Sequence, residues 1–281
     1  MRTVDVSEIS QAVRRMYLDM NVAVLPDVKG AVEKALADEA SPAARYALSQ
    51  IRDNYDVSAR TGLPLCQDTG MAVLFITAGQ DVHFTGGDLY QAVQQGVRDA
   101  YRDGYFRKSI VSEPLFDRKN TGDNCPAVIH LSLCPGEKVH ILAMAKGFGS
   151  ENMSRVFMLA PAAGEEGVLN AIVSAVRDAG PNPCPPVIVG VGIGGNFETA
   201  PLLAKKATAR PLGVHHRDER YAALEKKALD RINALGIGAS GIGGLTTALW
   251  VSAEYAPTHI AGMPVAVCIC CHASRHGEVT L

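Results

Sequence analysis

The sequence predicts an α+β protein, with mixed helices and short sheets in one large domain of two packed lobes. Three observations carry that expectation. Helical periodicity fills about the first 60 residues, and short apolar runs of strand character follow in separate clusters between helices. The regular strand–helix alternation of a doubly wound sheet is missing. At 281 residues the chain can bury a large core, so a single domain is expected over residues 1–281, helical over about 1–60 and mixed over about 61–281.

Taken in order, Val6 to Met20 sets Ile9, Val13, Met16 and Tyr17 at three- and four-residue spacings, the mark of an amphipathic helix. Asp27 to Asp38 and Ser41 to Ala59 continue in that style, and Ser41-Pro42 is a good helix start. The segment TGLPLCQDTG breaks helicity. Met71 to Ala78 reads as a strand and Asp88 to Asp103 as a helix. Ala127 to Leu133 and Lys138 to Ala145 look like paired strands joined by Cys134-Pro135-Gly136-Glu137. Lys146 to Asn152 is expected as a loop leading into helical sequence around Val156 to Leu159. A helix over Glu165 to Ala179, a strand over Val187 to Val191 and a loop over Gly192 to Asn196 follow. Phe197 to Thr208 and Arg217 to Leu235 read as helices, with strands expected over Leu249 to Ala253 and Pro264 to Ile269.

Composition excludes several classes. A net charge of −2 leaves no electrostatic footprint for nucleic acid or an anionic membrane, and 6% aromatics supply few stacking platforms. The most apolar stretch, Pro185 to Gly195, is too short and glycine-rich to span a bilayer. With no apolar targeting region near Met1, a cytoplasmic location is expected. Seven cysteines, an odd number, point to free thiols or a metal site rather than disulfides. Cys134 and Cys268 lie in apolar strand-like runs and read as small core hydrophobes.

Cys66, Cys184 and Cys271 sit instead in segments built for a site: PLCQDTG, PCPP and CICCHASR. An electron-transfer [4Fe–4S] cluster normally has four thiolates. Three leave one iron open as a Lewis acid, which points to hydro-lyase chemistry. Structural zinc is disfavoured, because Cys268, Cys270 and Cys271 have no second short cysteine pair to match. The Gly190 to Gly195 run fits the dinucleotide fingerprint poorly and reads as a tight turn with close backbone approach. The Gly236 to Gly244 run lacks the Lys-Ser/Thr ending of a phosphate loop. Asp68 and His259 could together relay a proton to a leaving hydroxyl. Arg107 has the chemistry to pair bidentately with a substrate carboxylate.

The ordered segments PLCQDTG, NTGDN-x-PA, KG-x-GSEN, PC-x₂-VIVGVGIGGN, G-x₂-G-x-GG-x₂-TAL and C-x₃-R resemble the α subunit of two-subunit class I fumarate hydratases and the similar L-tartrate dehydratase α subunit. The resemblance runs from about residue 5 to the end of the chain. It implies that Cys66, Cys184 and Cys271 hold a [4Fe–4S] cluster with one open iron, Cys271 being chosen because Arg275 follows it by four positions. It gives Asp68 and His259 proton-transfer roles and gives Gln67, Arg107, Lys146 and Gly147 contacts to a small dicarboxylate. Cys125 stands where a small or hydroxyl residue is expected, as a non-ligand, and Phe148 interrupts a loop that is usually richer in glycine. The reaction implied is reversible hydration of fumarate to L-malate by a carbon–oxygen lyase. The alternative is dehydration of L(+)-tartrate to oxaloacetate, and a different class is a non-catalytic iron–sulfur binding protein. The base that removes the C3 proton would belong to a separate β subunit, in a heterodimer or heterotetramer.

Overall fold

A computed structural model describes residues 1–281. In chain order the elements are β1 (Arg2–Asp5), α1 (Val6–Val22), α2 (Pro26–Asp38), α3 (Pro42–Thr61), β2 (Met71–Gly79), β3 (Val82–Thr85), α4 (Leu89–Asp103), β4 (Val128–Cys134), β5 (Val139–Lys146) and the single turn α5 (Phe148–Glu151). They continue as β6 (Arg155–Leu159), α6 (Gly164–Ala179), β7 (Val187–Gly194), α7 (Thr199–Ala207), α8 (Glu219–Asn233), β8 (Ala248–Ala256), β9 (Met263–Cys270) and β10 (His276–Thr280). The class is α+β, as expected. No helix is long and apolar enough to cross a membrane.

Two compact units divide the chain. The first is Met1–Leu25, Tyr55–Phe148 and Arg275–Leu281; the second is Pro26–Asn54 and Gly149–Ser274. The helical region up to residue 60 is therefore shared between them, with the division falling inside α3.

The first unit is built on a four-stranded sheet in the order β10-β5-β2-β4. Its α1 starts where the Asp5 carboxylate accepts from the Ser7 amide at 2.8 Å, an N-cap that satisfies an orphan donor. The stripe Ile9, Val13, Tyr17 and Met20 is then buried, and α4 lies alongside. Gly96 of α4 permits that approach, since a Cβ there would come within 2.5 Å of the Ser10 carbonyl on α1. Ala72 to Ile76 in β2 are buried throughout, which marks an interior strand.

This sheet corrects the expected pairing of the strands flanking Cys134-Pro135-Gly136-Glu137. β2 lies between β4 and β5, parallel to the first and antiparallel to the second. The connection straddles the end of β2, with the Gly79 amide on the Lys138 carbonyl at 2.8 Å. A Cβ on Gly79 would meet the Gly136 carbonyl at 2.1 Å, so a side chain would block the crossing. β4 becomes an edge strand with Leu133 69% exposed, and Cys134 is half-buried rather than core.

The second unit carries the sheet β6-β9-β7-β8. Every residue of β7 is buried, because helices cover both faces. Val189, Val191, Val265, Val267 and Ile269 pack into one core with Leu169 and Ile172 of α6 and Ala228 and Ile232 of α8. Residues of opposite parity meet α7: a Cβ on Gly190 or Gly192 would fall 2.1 and 2.0 Å from the carbonyls of Ala204 and Ala200. Cys268, opposite Gly190 in register, packs there with Ala200, Ala204 and Ala266, so its core assignment holds. The close backbone approach expected of the glycines is present, but inside a strand; the turn begins only at Gly194 (φ 86°) and Gly195 (φ 66°).

Two other expectations fail in this unit. Arg155 to Leu159 is a strand antiparallel to β9, not a helix. Five residues are too few for periodicity to decide, and the β-branched and aromatic content favours the edge of a sheet. The segment after Lys146 contains the helical turn α5 rather than loop alone.

Candidate active site

The segment Cys66 to Gly70 of the first unit joins the end of α3 to β2 without regular structure, and its backbone is fixed residue by residue. The Leu65 amide donates to the Asn21 carbonyl at 2.8 Å. The Asp68 carbonyl accepts from Nη1 of Arg275 at 2.6 Å. The buried Tyr101 hydroxyl lies 2.6 Å from the Thr69 carbonyl and 2.9 Å from that of Gly70. Burial raises the Tyr101 phenol well above its ordinary value, so it stays protonated as a donor. Gly70 also accepts from Nδ2 of the fully buried Asn124 at 3.1 Å. Three successive carbonyls thus have side-chain donors, which replaces the ladder that a strand would supply.

Asp68 is aimed by this frame. Its Oδ1 accepts from the Gly70 amide at 3.0 Å and its Oδ2 from the Phe148 amide at 2.7 Å. Its own amide points at the Cys66 sulfur, 3.4 Å away, and the Cys66 thiol donates to Gln67 Oε1 at 3.3 Å. Gln67 is exposed and Asp68 half-buried. Arg107 is exposed, and its carbonyl accepts from the Thr69 hydroxyl at 2.8 Å, so its backbone lies against the same segment. Lys146 is buried at the end of β5 with its ammonium 3.4 Å from the Gly147 carbonyl. Gly147 stands 3.3 Å, measured from where a Cβ would be, from both Arg275 Nη2 and Asp68 Oδ2. The first unit therefore brings Cys66, Gln67, Asp68, Arg107, Lys146 and Gly147 to one loop system.

The second unit carries Cys184, Cys271 and His259. Cys184 is exposed, with φ of +55°, in the turn before β7. Non-glycine residues hold the left-handed region at some cost in strain, a pattern concentrated at functional positions. The following residue is braced, its Pro185 carbonyl accepting from the Ser240 amide at 2.8 Å. Cys270 ends β9 and is buried, whereas Cys271 opens the loop beyond it and is half-buried. His259 is exposed in the loop after β8, and its Nδ1 accepts from the Ala261 amide at 3.2 Å. That bond puts the proton of the neutral ring on Nε2. The loop is seated by the Gly194–Gly195 turn: the Gly195 amide binds the Pro257 carbonyl at 3.1 Å, and the Thr258 hydroxyl binds the Gly195 carbonyl at 2.9 Å.

All seven cysteines are free thiols. Cys125, Cys268 and Cys270 are buried, and burial together with Asp123 pushes the Cys125 thiol up to about 11, which leaves it protonated and a poor ligand. Cys66, Cys184 and Cys271 lie on irregular, accessible backbone, the donor chemistry an iron–sulfur cluster takes. Within either unit by itself, no three histidine, cysteine or carboxylate side chains form a metal-holding group. The bracing residues Asn21 and Tyr101 went unmarked in the sequence, and Asn124 and Arg275 stood only as letters of motifs. One signal was present: Asn21 sits four positions after Tyr17 on the buried face of α1, and a polar residue there needs a partner.

A family model described as fumarate hydratase (Fumerase) matches residues 10–280. Over 273 residues, 95% of each chain, the sequence is 39% identical to a Methanocaldococcus jannaschii protein named "Putative L(+)-tartrate dehydratase subunit alpha". It is 30% identical over 98% of its length to the L(+)-tartrate dehydratase subunit alpha of Escherichia coli, covering 91% of that protein. The same figures hold for the subunit of that name in Shigella boydii. These matches go with a class of lyases that act by adding or removing water. The chain belongs to the fumarate hydratase (Fumerase) family.

Proposed function

We propose that this chain is the α subunit of an iron–sulfur hydro-lyase that acts on a small 2-hydroxy dicarboxylate together with a separate β subunit. The observation that carries this reading is the family match over residues 10–280, joined by relatives of nearly equal length named as α subunits. Those names favour L(+)-tartrate, dehydrated to oxaloacetate. The family's description supports the second reading, L-malate and fumarate.

Cys66, Cys184 and Cys271 are the thiols that would hold a [4Fe–4S] cluster. When bound, a cluster with three protein thiolates supplies Lewis acidity toward a substrate hydroxyl and carboxylate at its open iron. The chain's own groups bind, orient and move protons. Arg107 offers a fork of donors to a substrate carboxylate, and Gln67 a further amide contact. The Gly147 and Phe148 backbone frames the Asp68 carboxylate, which the Gly70 and Phe148 amides keep in one orientation. The Asp68–His259 pair, entering the step with one acid proton, gives it to the departing hydroxyl so that it leaves as water, and the pair ends as carboxylate and neutral imidazole. The C3 proton goes to a base on the β subunit.

The test is co-production with the product of the neighbouring gene, anaerobic reconstitution, and assay of both L(+)-tartrate and L-malate. About four iron and four sulfide per chain are expected, with turnover of one substrate and loss of that turnover in air. Cys271→Ser should abolish cluster retention and Cys134→Ser should preserve it. Stoichiometric zinc without labile sulfide would refute the cluster. Full iron with no turnover of either substrate would leave the non-catalytic iron–sulfur protein as the correct class.

A further inference from the structure

Arg275 is 4% exposed, and its Nε is buried with no hydrogen-bond acceptor. A buried donor left unpaired is unfavourable, more so on a charged group, and such a group calls for a reason. Its Nη1 donates to the Asp68 carbonyl at 2.6 Å and to Asn21 Oδ1 at 3.2 Å. The backbone of Arg275 is itself fixed, its carbonyl accepting from the Ala145 amide at 3.0 Å at the end of β5. Asn21 is fully buried, anchored to the Tyr17 carbonyl through Nδ2 at 3.0 Å, and holds Leu65 at the entrance of the same loop. The side chain is therefore placed for the peptide of Asp68 while its buried Nε goes without an acceptor.

We propose that Arg275 is a positioning residue: its buried guanidinium fixes the Asp68 peptide, and thereby the direction of the Asp68 carboxylate between the Gly70 and Phe148 amides. Three facts converge on this. The bond to the Asp68 carbonyl is short and charge-assisted, the strong kind. The same guanidinium reaches over Gly147, where Nη2 and Asp68 Oδ2 each lie 3.3 Å from the Cβ position. The carboxylate is held on both oxygens, so a rotation of the 68–69 peptide has to break those bonds. Arg275 touches neither substrate nor product and acts through Asp68. Lysine keeps the charge but replaces the planar guanidinium, whose donor directions are fixed, with a point ammonium on a flexible stem.

The proposal rests on the role given above to Asp68, and its test separates the two. In the reconstituted complex of the full chain with its β subunit, Arg275→Lys and Arg275→Ala are compared for iron content, thermal midpoint, kcat, KM and amide hydrogen exchange at Gly70 and Phe148. Arg275→Lys is expected to keep its iron and thermal midpoint. Its kcat should fall on the order of 10²-fold, the scale of a misplaced catalytic group, with KM little changed, and both amides should exchange faster. Added guanidinium should restore part of the kcat of Arg275→Ala; should that variant not fold, Arg275→Lys decides. Normal kcat and native exchange at both amides, or a kcat that falls only in proportion to lost iron, overturns the proposal. If the parental complex turns over neither substrate, the functional reading fails, and exchange at Gly70 and Phe148 alone decides the positioning role.

Discussion

At the scale of single residues, the site depends on an absent side chain as much as on those present. Gly147 has no left-handed backbone to excuse its lack of a Cβ; what excludes one is the pair of atoms 3.3 Å away, Arg275 Nη2 and Asp68 Oδ2. Neither neighbour is free to give, since Asp68 is bound on both oxygens and Arg275 is buried. Gly147→Ala should therefore leave the fold nearly intact, with a thermal midpoint lowered by no more than about 2–4 °C, the shift that about 1 kcal/mol produces in a chain of this size. Activity of the complex should fall at least tenfold; retained kcat would show that the loop accommodates a methyl group. The reactive residues of this loop were legible because their types carry chemistry wherever they stand: a cysteine beside an acid in PLCQDTG announces itself. The bracing groups Tyr101, Asn124 and Arg275 were not, since they become meaningful only when tertiary structure brings them against the three successive carbonyls of one loop. That chemistry belongs to the assembled fold.

Among elements, helix boundaries read closely and strand partners did not. α1, α4 and α6 lie within a residue or two of their expected limits, because an amphipathic stripe and a cap are local properties. The partner of β5 is a matter of sheet order, and the turn at Pro135-Gly136 suggested a hairpin that β2 in fact occupies. The glycines of β7 make the same point: they read as a turn, whereas Gly190 and Gly192 are the seat of α7. Gly192→Ala would set a methyl 2.0 Å from the Ala200 carbonyl, and backbone cannot yield as a side chain can. Overpacking of this kind costs about 1–3 kcal/mol or more, so the urea midpoint should drop clearly. Gly30 in α2 supplies the contrast, with nothing within 4 Å of an added Cβ and helical backbone around it. Gly30→Ala should raise the midpoint, by about 0.5–1 kcal/mol of helix propensity. If both substitutions shifted stability alike, helix propensity rather than steric contact would govern β7 and α7.

The stability of the protein toward acid follows from the second unit, where one carboxylate organises several elements. Glu225 of α8 is 1% exposed and pairs with Arg210 and, through Oε2, with His215 Nδ1 at 3.0 Å. It also accepts from the Ala253 amide of β8 at 2.8 Å and the His216 amide at 3.1 Å. Burial alone would raise its affinity for a proton, but these bonds to the ionised form outweigh burial and hold it below the usual carboxylate range. A carboxyl group depressed in the folded state binds protons more readily when unfolded. Its contribution is therefore complete above the unfolded value, about 4.3, and is lost as the pH falls through the lower folded value. Protonation would also leave the Arg210 guanidinium, itself largely buried, with the partly exposed Glu254 as its remaining carboxylate. Glu225→Gln should destabilise the chain at pH 7, and its urea midpoint should change less than the parental one between pH 6 and pH 3. Parallel pH profiles for the two proteins would show that other carboxylates set the acid limit. The interaction is worth testing on the whole chain because Glu225 joins α8, the segment from Arg210 to His216, and β8, the strand that leads into the His259 loop.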